Sequence, residues 1–185
     1  MTSRLVILDR DGVINQDADD YIKSPEEWVP IPGSIEAIAR LTHAGFRVAV
    51  ATNQSGLARG LFGIEALNTI HQRLRDQVEL HGGRIEMIAF CPHGPEDDCP
   101  CRKPRPGLLL AIAKRFGVDL AGIPYIGDSL SDLQAARAAG AQPWLVRSGK
   151  GERTLKALSP DEREGLVIHP DLALAAQALI AGISP

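Results

Sequence analysis

The sequence predicts an α/β fold in which helices flank a doubly wound, mostly parallel sheet. Short apolar runs alternate with segments whose apolar residues recur at helical spacing, the order typical of parallel strands linked by helices. The first run, Leu5–Leu8, has the continuous apolar character of a strand that is buried on both faces of a sheet. Several runs end in polar residues, and folds of this class bind ligands at the carboxyl ends of their strands. We expect one domain, residues 1–185.

The elements follow in order along the chain. A polar flap of about residues 12–32 comes after the first strand, and its length suggests a functional loop. Ser34 is predicted to cap the next helix, and Ser131 with Gln134 is predicted to form a capping box before a later one. The predicted helices are 34–44, 64–81, Gly107–Phe116, 131–139 and Leu172–Ala181, and the remaining strands are 47–51, 85–90, 124–126 and 142–147. The tail from Gly149 is less regular.

Charge and composition restrict the classes of function. The net charge of −3 gives no basic surface for nucleic acid. No apolar run is long enough to cross a membrane, and there is no charged-then-apolar leader. We expect a cytoplasmic monomer without nucleic-acid or membrane partners.

Two carboxylates follow the first strand. Asp9 and Asp11 are separated by one residue, and residues i and i+2 of an extended chain point the same way. Because like charges this close repel each other unless a cation or proton intervenes, the pair is a candidate for Mg²⁺ binding and acid–base chemistry. The alternative is an ordinary turn, which Asp and the following Gly12 also favour.

All three cysteines fall within one short segment, which a disulfide framework would not produce. With one histidine they form the Cys₃His set that suits a structural, tetrahedral Zn²⁺ site, and the alternative is a cluster of free thiols. The four candidate ligands are Cys91, His93, Cys99 and Cys101. A zinc loop over 91–103 would also hold Arg102 and Lys103 above the strand ends.

Further polar residues follow the other strands. The fold should bring Thr52 and Asp128, which end the second and fourth strands, close to Asp9. With Mg²⁺ and the charge of Lys103, this set suits phosphoryl transfer, in which a carboxylate attacks phosphorus. Taken singly, each residue has an ordinary explanation in a turn, at a strand end or on the surface. Asp132 is favoured in the first turn of its helix by the helix dipole, and could also steady the metal.

The remaining histidines and the tryptophans receive no role. We expect the histidines to be packed or solvated and the tryptophans to anchor the core or flap: His43, His71, His81, His169, Trp28 and Trp144. Arg59 is expected at the surface, and contact with an anionic substrate is the alternative.

Four segments resemble the motifs of haloacid dehalogenase superfamily phosphatases. They are Asp9-Arg10-Asp11-Gly12, the strand ending at Thr52, the Lys103 segment, and Gly127-Asp128-Ser129 with Asp132. The likeness extends from residue 5 to about residue 150. Segments 52–60, 91–104 and 145–151 look like heptose bisphosphate phosphatases of the histidinol-phosphatase-like subgroup. This resemblance implies no large cap domain, so that the flap and the zinc loop would shape the pocket.

The resemblance also implies an activity, removal of the C7 phosphate of a heptose 1,7-bisphosphate in the making of ADP-heptose for lipopolysaccharide. Asp9 would form an aspartyl-phosphate, and Asp11 would protonate the leaving oxygen and then activate water. Asp9, the main-chain carbonyl of Asp11 and Asp128 would hold Mg²⁺, while Thr52 and Lys103 would stabilise the phosphoryl group. Contacts with the phosphorylated sugar are implied for Arg10, Asp17, Tyr21, Asn53, Gln54, Ser55, Arg59, Arg102 and Ser129.

Three departures from the family pattern keep alternatives open. The zinc loop is short, closer to that of histidinol-phosphate phosphatases. Ser129 stands where many heptose enzymes carry lysine, and the flap has an extra acidic residue within 17–20. Segments 58–60 and 146–149 favour the heptose substrate, for which we expect the β-anomer. The alternatives are a histidinol-phosphate phosphatase and a non-catalytic, zinc-stabilised binding module.

Overall fold

The computed structural model describes residues 4–182 and confirms the predicted fold, a parallel sheet with helices on both faces. The strands are β1 (Leu5–Leu8), β2 (Arg47–Asn53), β3 (Met87–Cys91), β4 (Pro124–Gly127), β5 (Gln142–Val146) and β6 (Val167–His169). The helices are α1 (Ser34–His43), α2 (Ile64–Leu80), α3 (Gly107–Phe116), α4 (Leu130–Ala139), α5 (Gly151–Ala157), α6 (Pro160–Arg163) and α7 (Leu172–Ala181). Across that described range, no helix is both long and apolar enough to span a bilayer.

The order of the strands places a crevice at the centre of the sheet. The order is β3-β2-β1-β4-β5-β6, and β1 pairs in parallel with both β2 and β4. The chain therefore winds outward from β1 in one direction and outward from β4 in the other. Folds of this kind bind ligands outside the carboxyl ends of the strands where the winding reverses. Asp9 and Asp128 directly follow these two strands, so the topology brings them together.

Alternate residues of β1 pack on opposite faces of the sheet. Val6 and Leu8 are fully buried in a core with α1, α2 and α7. Leu5 and Ile7 pack against α3 and α4. Because helices cover both faces, the strand is apolar throughout, and its carboxyl end is fixed from both sides. Trp28 is buried in the first of these cores, as predicted.

The predicted Ser34 cap of α1 is wrong. The N-cap is Gly33, whose φ of 81° lies in the left-handed region that glycine adopts without strain. Ser34 is the first helical residue, and its hydroxyl donates a 2.6 Å hydrogen bond to the carbonyl of Ile14. The hydroxyl therefore anchors the flap instead of the helix terminus.

The capping box of α4 forms two residues earlier than predicted. Ser129 and Asp132 form it, not Ser131 and Gln134. Ser131 and Gln134 fit the usual rule of Ser or Thr followed three residues later by Glu or Gln, whereas the pair Ser129 and Asp132 has aspartate in the last position. The charged carboxylate decides between them, because Asp132 Oδ2 accepts hydrogen bonds from the Ser129 N–H at 3.0 Å and the Ser129 hydroxyl at 2.6 Å.

Strand ends and the tail also differ from the sequence prediction. β2 extends beyond residue 51 because it stays paired with β3 as far as Asn53 and Cys91. The tail is more regular than expected, since it forms α5, α6 and β6, with β6 paired along β5. α6 has four residues and β6 has three, which is too short for a periodic signal in the sequence.

Candidate active site

A cavity of about 330 Å³ opens at the carboxyl ends of β1 and β4, beside the flap and the cysteine loop (91–103). It is lined by every residue predicted to be catalytic and by all but one of those predicted to bind substrate. Together with Asp128, a predicted magnesium ligand, these lining residues are Asp9, Arg10, Asp11, Asp17, Tyr21, Thr52, Asn53, Gln54, Ser55, Arg102, Lys103 and Ser129. The exception is Arg59, which is exposed outside the cavity with its guanidinium 5.8 Å from the ring centroid of Tyr21. The surface location expected for Arg59 is therefore confirmed.

Three buried carboxylates meet in this cavity. Oxygens of Asp9, Asp128 and Asp132 lie within 4.8 Å of one another. The N–H of Asp9 donates to the Ile126 carbonyl at 2.8 Å, which fixes the end of β1 against β4. The carboxylate of Asp11 lies outside this cluster, although the spacing predicts that both acids point the same way, because the strand ends before Asp9 and the chain then turns.

The carboxylates of this cluster are buried and repel one another, so the cluster favours the addition of a positive charge. Burial raises the pKa of the Asp9 carboxyl well above its usual range, and the Asp132 carboxylate adds to the rise. Burial also raises the pKa of Asp128 to about 7, again with a contribution from Asp132. Since Mg²⁺ is bound in proteins by a few carboxylates together with water, the donor set fits this cation.

Two glycines enclose the Asp128 carboxylate. Gly12 and Gly149 have φ of 81° and 57°, and a Cβ added to either would overlap Asp128 Oδ2. The N–H of Lys150 donates to the same oxygen at 2.7 Å. The loops after β1 and β5 therefore hold Asp128 in place.

The ammonium group of Lys103 is buried among four oxygens. It donates to Asp9 Oδ1 at 2.9 Å, Asp132 Oδ1 at 2.7 Å and the Ala51 carbonyl at 3.0 Å, and it lies 2.8 Å from the Tyr125 hydroxyl. Burial is the largest influence on its pKa and lowers it, but the two carboxylates outweigh burial and raise the pKa overall. Lys103 is thus a fixed positive charge beside Asp9. Tyr125 is a member of this network that carries no signal in the sequence, because an aromatic residue is ordinary in a buried strand.

Asn53 joins β2 to the cysteine loop. Its Nδ2 donates to the Lys103 carbonyl at 3.1 Å, and its Oδ1 accepts from the Lys103 N–H at 3.1 Å. Although Asn53 lines the cavity, both ends of its amide thus hold the main chain of Lys103. Substrate contact by Asn53 stays a prediction.

Three side chains hold the Asp11 carboxylate. Arg10 donates from Nε at 3.0 Å and from Nη2 at 3.1 Å, Asn15 donates at 2.9 Å and Gln54 at 3.0 Å. Burial acts to raise the pKa of Asp11, but Arg10 and these hydrogen bonds outweigh it and lower the pKa. Gln54 Nε2 also donates to Thr52 Oγ1 at 3.0 Å, which links Asp11 to Thr52.

Arg10 is predicted to bind substrate, but its side chain is engaged within the protein. It is 1% exposed, and its Nη1 lies 3.2 Å from His71 Nε2 while the rest of the guanidinium faces Asp11. The sequence assigns His71 no role. Its signal is a polar residue on the buried face of α2, which it shares with Ile70 and Leu74.

The flap contacts the loops that frame the cavity. Asp17 Oδ2 lies 2.6 Å from Lys150 Nζ, and the Tyr21 hydroxyl lies 3.4 Å from Ser55 Oγ. Lys150 also lines the cavity and is not among the predicted residues. Its sequence signals are its place between two glycines before a helix and its membership of segment 145–151, which resembles the heptose bisphosphate phosphatases.

Four potential metal ligands meet in the cysteine loop. Cys101 Sγ lies 3.3 Å from Cys91 Sγ, 3.3 Å from His93 Nδ1 and 3.7 Å from Cys99 Sγ. Cys91 Sγ lies 3.8 Å from Cys99 Sγ and 3.5 Å from His93 Nδ1. These distances exceed a disulfide bond of about 2.05 Å, so the thiols are free and can surround one metal ion.

This chain is similar to several proteins whose names describe one activity. A family profile described as HAD-hydrolase-like matches residues 100–175. The D-glycero-beta-D-manno-heptose-1,7-bisphosphate 7-phosphatase of Pseudomonas aeruginosa is 57% identical over 180 residues, which cover 97% of this chain and 99% of the relative. The protein of the same name from Bordetella bronchiseptica is 54% identical, over 96% and 98%. A crystal structure of the B. bronchiseptica D,D-heptose 1,7-bisphosphate phosphatase with magnesium and phosphate has a TM-score of 0.92 and 53% identity, and covers 97% of this chain and 99% of its own.

Proposed function

The chain belongs to the D-glycero-β-D-manno-heptose-1,7-bisphosphate 7-phosphatase family of haloacid dehalogenase-like hydrolases, and on that premise we propose that it removes the C7 phosphate of this sugar bisphosphate. The observation that carries the proposal is the Lys103 ammonium 2.9 Å from Asp9, in a cavity shared with Asp11, Thr52 and Asp128. The product would keep its C1 phosphate and serve the making of ADP-heptose for lipopolysaccharide.

Asp9 acts as the nucleophile and Asp11 as the general acid and base. A carboxylate oxygen of Asp9 bonds to phosphorus while the bond from phosphorus to the C7 oxygen breaks, and Asp11, which is protonated in the substrate complex, gives that oxygen its proton. Asp11 then accepts a proton from the water that attacks the aspartyl-phosphate, which releases inorganic phosphate. Lys103 and the Thr52 hydroxyl stabilise the charge on the transferring phosphoryl group.

Asp9, Asp128 and the main-chain carbonyl of Asp11 are the proposed magnesium ligands. The cluster of buried acids supports this assignment, because it gathers more carboxylates than Lys103 can neutralise. Bound Mg²⁺ supplies positive charge to the phosphoryl oxygens. Both oxygens of Asp132 are engaged by Lys103, Ser129 and the Asp128 N–H, so we assign Asp132 to positioning rather than to the metal.

The cysteine loop carries a structural zinc ion in this proposal. Four-coordinate zinc with bonds to sulfur of about 2.3 Å separates its ligand atoms by roughly 3.8 Å. The five distances among the donor atoms fall between 3.3 and 3.8 Å, which supports a Cys₃His site. Such an ion would fix Cys101, and with it the adjacent Arg102 and Lys103 at the cavity.

The sugar and its second phosphate occupy the part of the cavity lined by the flap and the cysteine loop. Arg102 is the positive side chain closest in sequence to Lys103, and we assign it to the C1 phosphate. The remaining proposed contacts are Asp17, Tyr21, Gln54, Ser55 and Ser129. We further propose that residues 1–185 act as one domain, in a monomeric, cytoplasmic enzyme.

Phosphate release from three substrates in the presence of Mg²⁺ tests this function. We expect rapid release from the β-anomer of the heptose 1,7-bisphosphate, slower release from the α-anomer and little from histidinol phosphate. Faster release from histidinol phosphate, which the short cysteine loop favours, would overturn the choice of substrate. Release from none of the three would support a non-catalytic binding module.

A further inference from the structure

We propose that His71 is a positioning residue for the phosphatase reaction, because it holds the Arg10 guanidinium, which in turn fixes the orientation of the Asp11 carboxylate. The inference rests on the proposed function, in which Asp11 transfers the proton. His71 reaches this chain of contacts from α2, 61 positions away from Arg10. The three residues thus connect the inner face of a helix to the cavity.

The contacts define which atom donates and which accepts. A guanidinium carries only donors, so Arg10 Nη1 must donate to His71 Nε2 across the 3.2 Å that separates them. His71 therefore carries its proton on Nδ1. On its other side, Arg10 faces Asp11 with Nε and Nη2 in the paired geometry that fixes both groups in one plane.

The surroundings of His71 keep it a neutral acceptor. The side chain is 7% exposed, and its ring lies 5.9 Å from that of Phe90. The charged groups that face it are Arg10, Arg75 and Asp11. Burial and the Arg10 charge lower the pKa of His71 to about 3, so the acceptor at Nε2 persists across the working pH range.

The contact with His71 fixes the Arg10 guanidinium on the side away from Asp11. It therefore restricts the side-chain rotamers that Arg10 and Asp11 can adopt as a pair. Arg10 and Asp11 are neighbours in sequence, so their ion pair alone could form in several rotamers. An acceptor on a packed helix selects one of them, and Asn15 and Gln54 complete the orientation of the carboxylate. A general acid displaced by about 1 Å from its productive position can lose on the order of 100-fold in rate.

Substitution of His71 with two side chains of different hydrogen-bonding capacity tests the inference. His71→Leu keeps the apolar packing and removes the acceptor, whereas His71→Gln retains an acceptor oxygen. His81→Leu, at the exposed C-terminal end of the same helix, is the matched control. Each variant is assayed on the heptose bisphosphate and on p-nitrophenyl phosphate, whose leaving group departs without a proton.

We expect His71→Leu to lower kcat on the sugar bisphosphate about tenfold or more, with little change in KM and a much smaller loss on p-nitrophenyl phosphate. His71→Gln should restore most of the loss, and His81→Leu should match the wild type. Equal losses on both substrates would indicate a purely structural role and overturn the inference, as would an unchanged kcat in a folded His71→Leu variant. If the wild type releases no phosphate from the heptose bisphosphate, the proposed function is wrong. The variants are then compared on an alkyl phosphate that the wild type does hydrolyse, which tests the role of His71 separately.

Imidazole ¹⁵N NMR of the wild type tests the contact without a variant. We expect a neutral His71 with its proton on Nδ1 from pH 5.5 to 8. A proton on Nε2, in either the neutral or the charged ring, would contradict the contact, because that nitrogen could not accept from Arg10.

Discussion

Lys103 Nζ lies 2.7 Å from Asp132 Oδ1, and both side chains are almost completely buried. Asp132 also forms the capping box of α4, so one carboxylate joins a helix terminus to the lysine beside Asp9. Burial acts to raise the pKa of Asp132, but Lys103 outweighs it and lowers the pKa. The lysine is therefore held in position by a group that lies behind the cavity.

Asp132→Asn should lower phosphatase activity about 10- to 100-fold. The amide nitrogen of asparagine is a donor where the Asp132 carboxylate has only acceptors, and Lys103 loses one of the two carboxylates that position it. Steady-state release of phosphate measures the loss. Asp161→Asn, an exposed substitution on α6, is the control and should retain full activity. Wild-type rates in Asp132→Asn would contradict the positioning of Lys103 by Asp132.

Gly12→Ala should abolish activity and weaken Mg²⁺ binding, since its Cβ would overlap Asp128 Oδ2. Gly165→Ala is the matched control: its φ of 66° imposes a similar backbone strain, but an added Cβ meets nothing within 4 Å. Calorimetric titration of both variants with Mg²⁺ separates the overlap with Asp128 from the backbone strain. Equal affinity in both variants would show that Asp128 is not displaced.

Mg²⁺ should raise Tm more at pH 8 than at pH 6. Because burial raises the pKa of Asp128 to about 7, the metal must displace a proton below that pH. Without metal, the stability that the Asp128 proton contributes is lost as pH rises from about 4 through about 7, whereas buried His71 makes the fold less stable as pH falls from 6.5 towards 3. The comparison is therefore made with and without Mg²⁺ at each pH.

Asp128→Asn provides the control for this pH dependence, and its response to Mg²⁺ should be small at both pH values. A wild-type response to Mg²⁺ that is the same at pH 6 and pH 8 would mean that Asp128 is already ionised before the metal binds.

Cys99→Ser should release one zinc ion per chain and lower both Tm and activity. Structural zinc contributes folding free energy directly, and a loss of about 2 kcal/mol lowers the Tm of a chain this long by roughly 4–8 °C. Metal analysis, thermal melting and phosphate release measure the three changes, and Glu96→Gln, exposed in the same loop, is the control. Unchanged melting and activity in verified zinc-free protein would rule out this role.

The sequence is sufficient to predict which loops form the cavity. Parallel strands bring their carboxyl ends to one edge, so Asp9, Thr52 and Asp128 could be grouped without coordinates, and the structure confirms that they line one cavity. The spacing of the cysteines and His93 predicts their cluster in the same way.

Side-chain pairing between distant elements could not be predicted. The contact between Arg10 and His71 depends on the packing of α2, and a histidine on the buried face of a helix has the same pattern whether or not it holds a partner. The Asn53 amide similarly meets the main chain of Lys103 only because β2 runs two residues beyond its apolar segment. Rules of local spacing along the sequence do not predict which side chains of distant elements come into contact.

Capture of the phosphorylated intermediate tests the central claim, that Asp9 attacks phosphorus, most directly. Wild-type protein is mixed with the heptose 1,7-bisphosphate and Mg²⁺, quenched in acid within milliseconds and digested for mass spectrometry. We expect a phosphoryl group on the peptide that contains Asp9, and neither adduct nor released phosphate from Asp9→Asn. Sustained phosphate release by Asp9→Asn, or a phosphoryl group on a different residue, would contradict the mechanism.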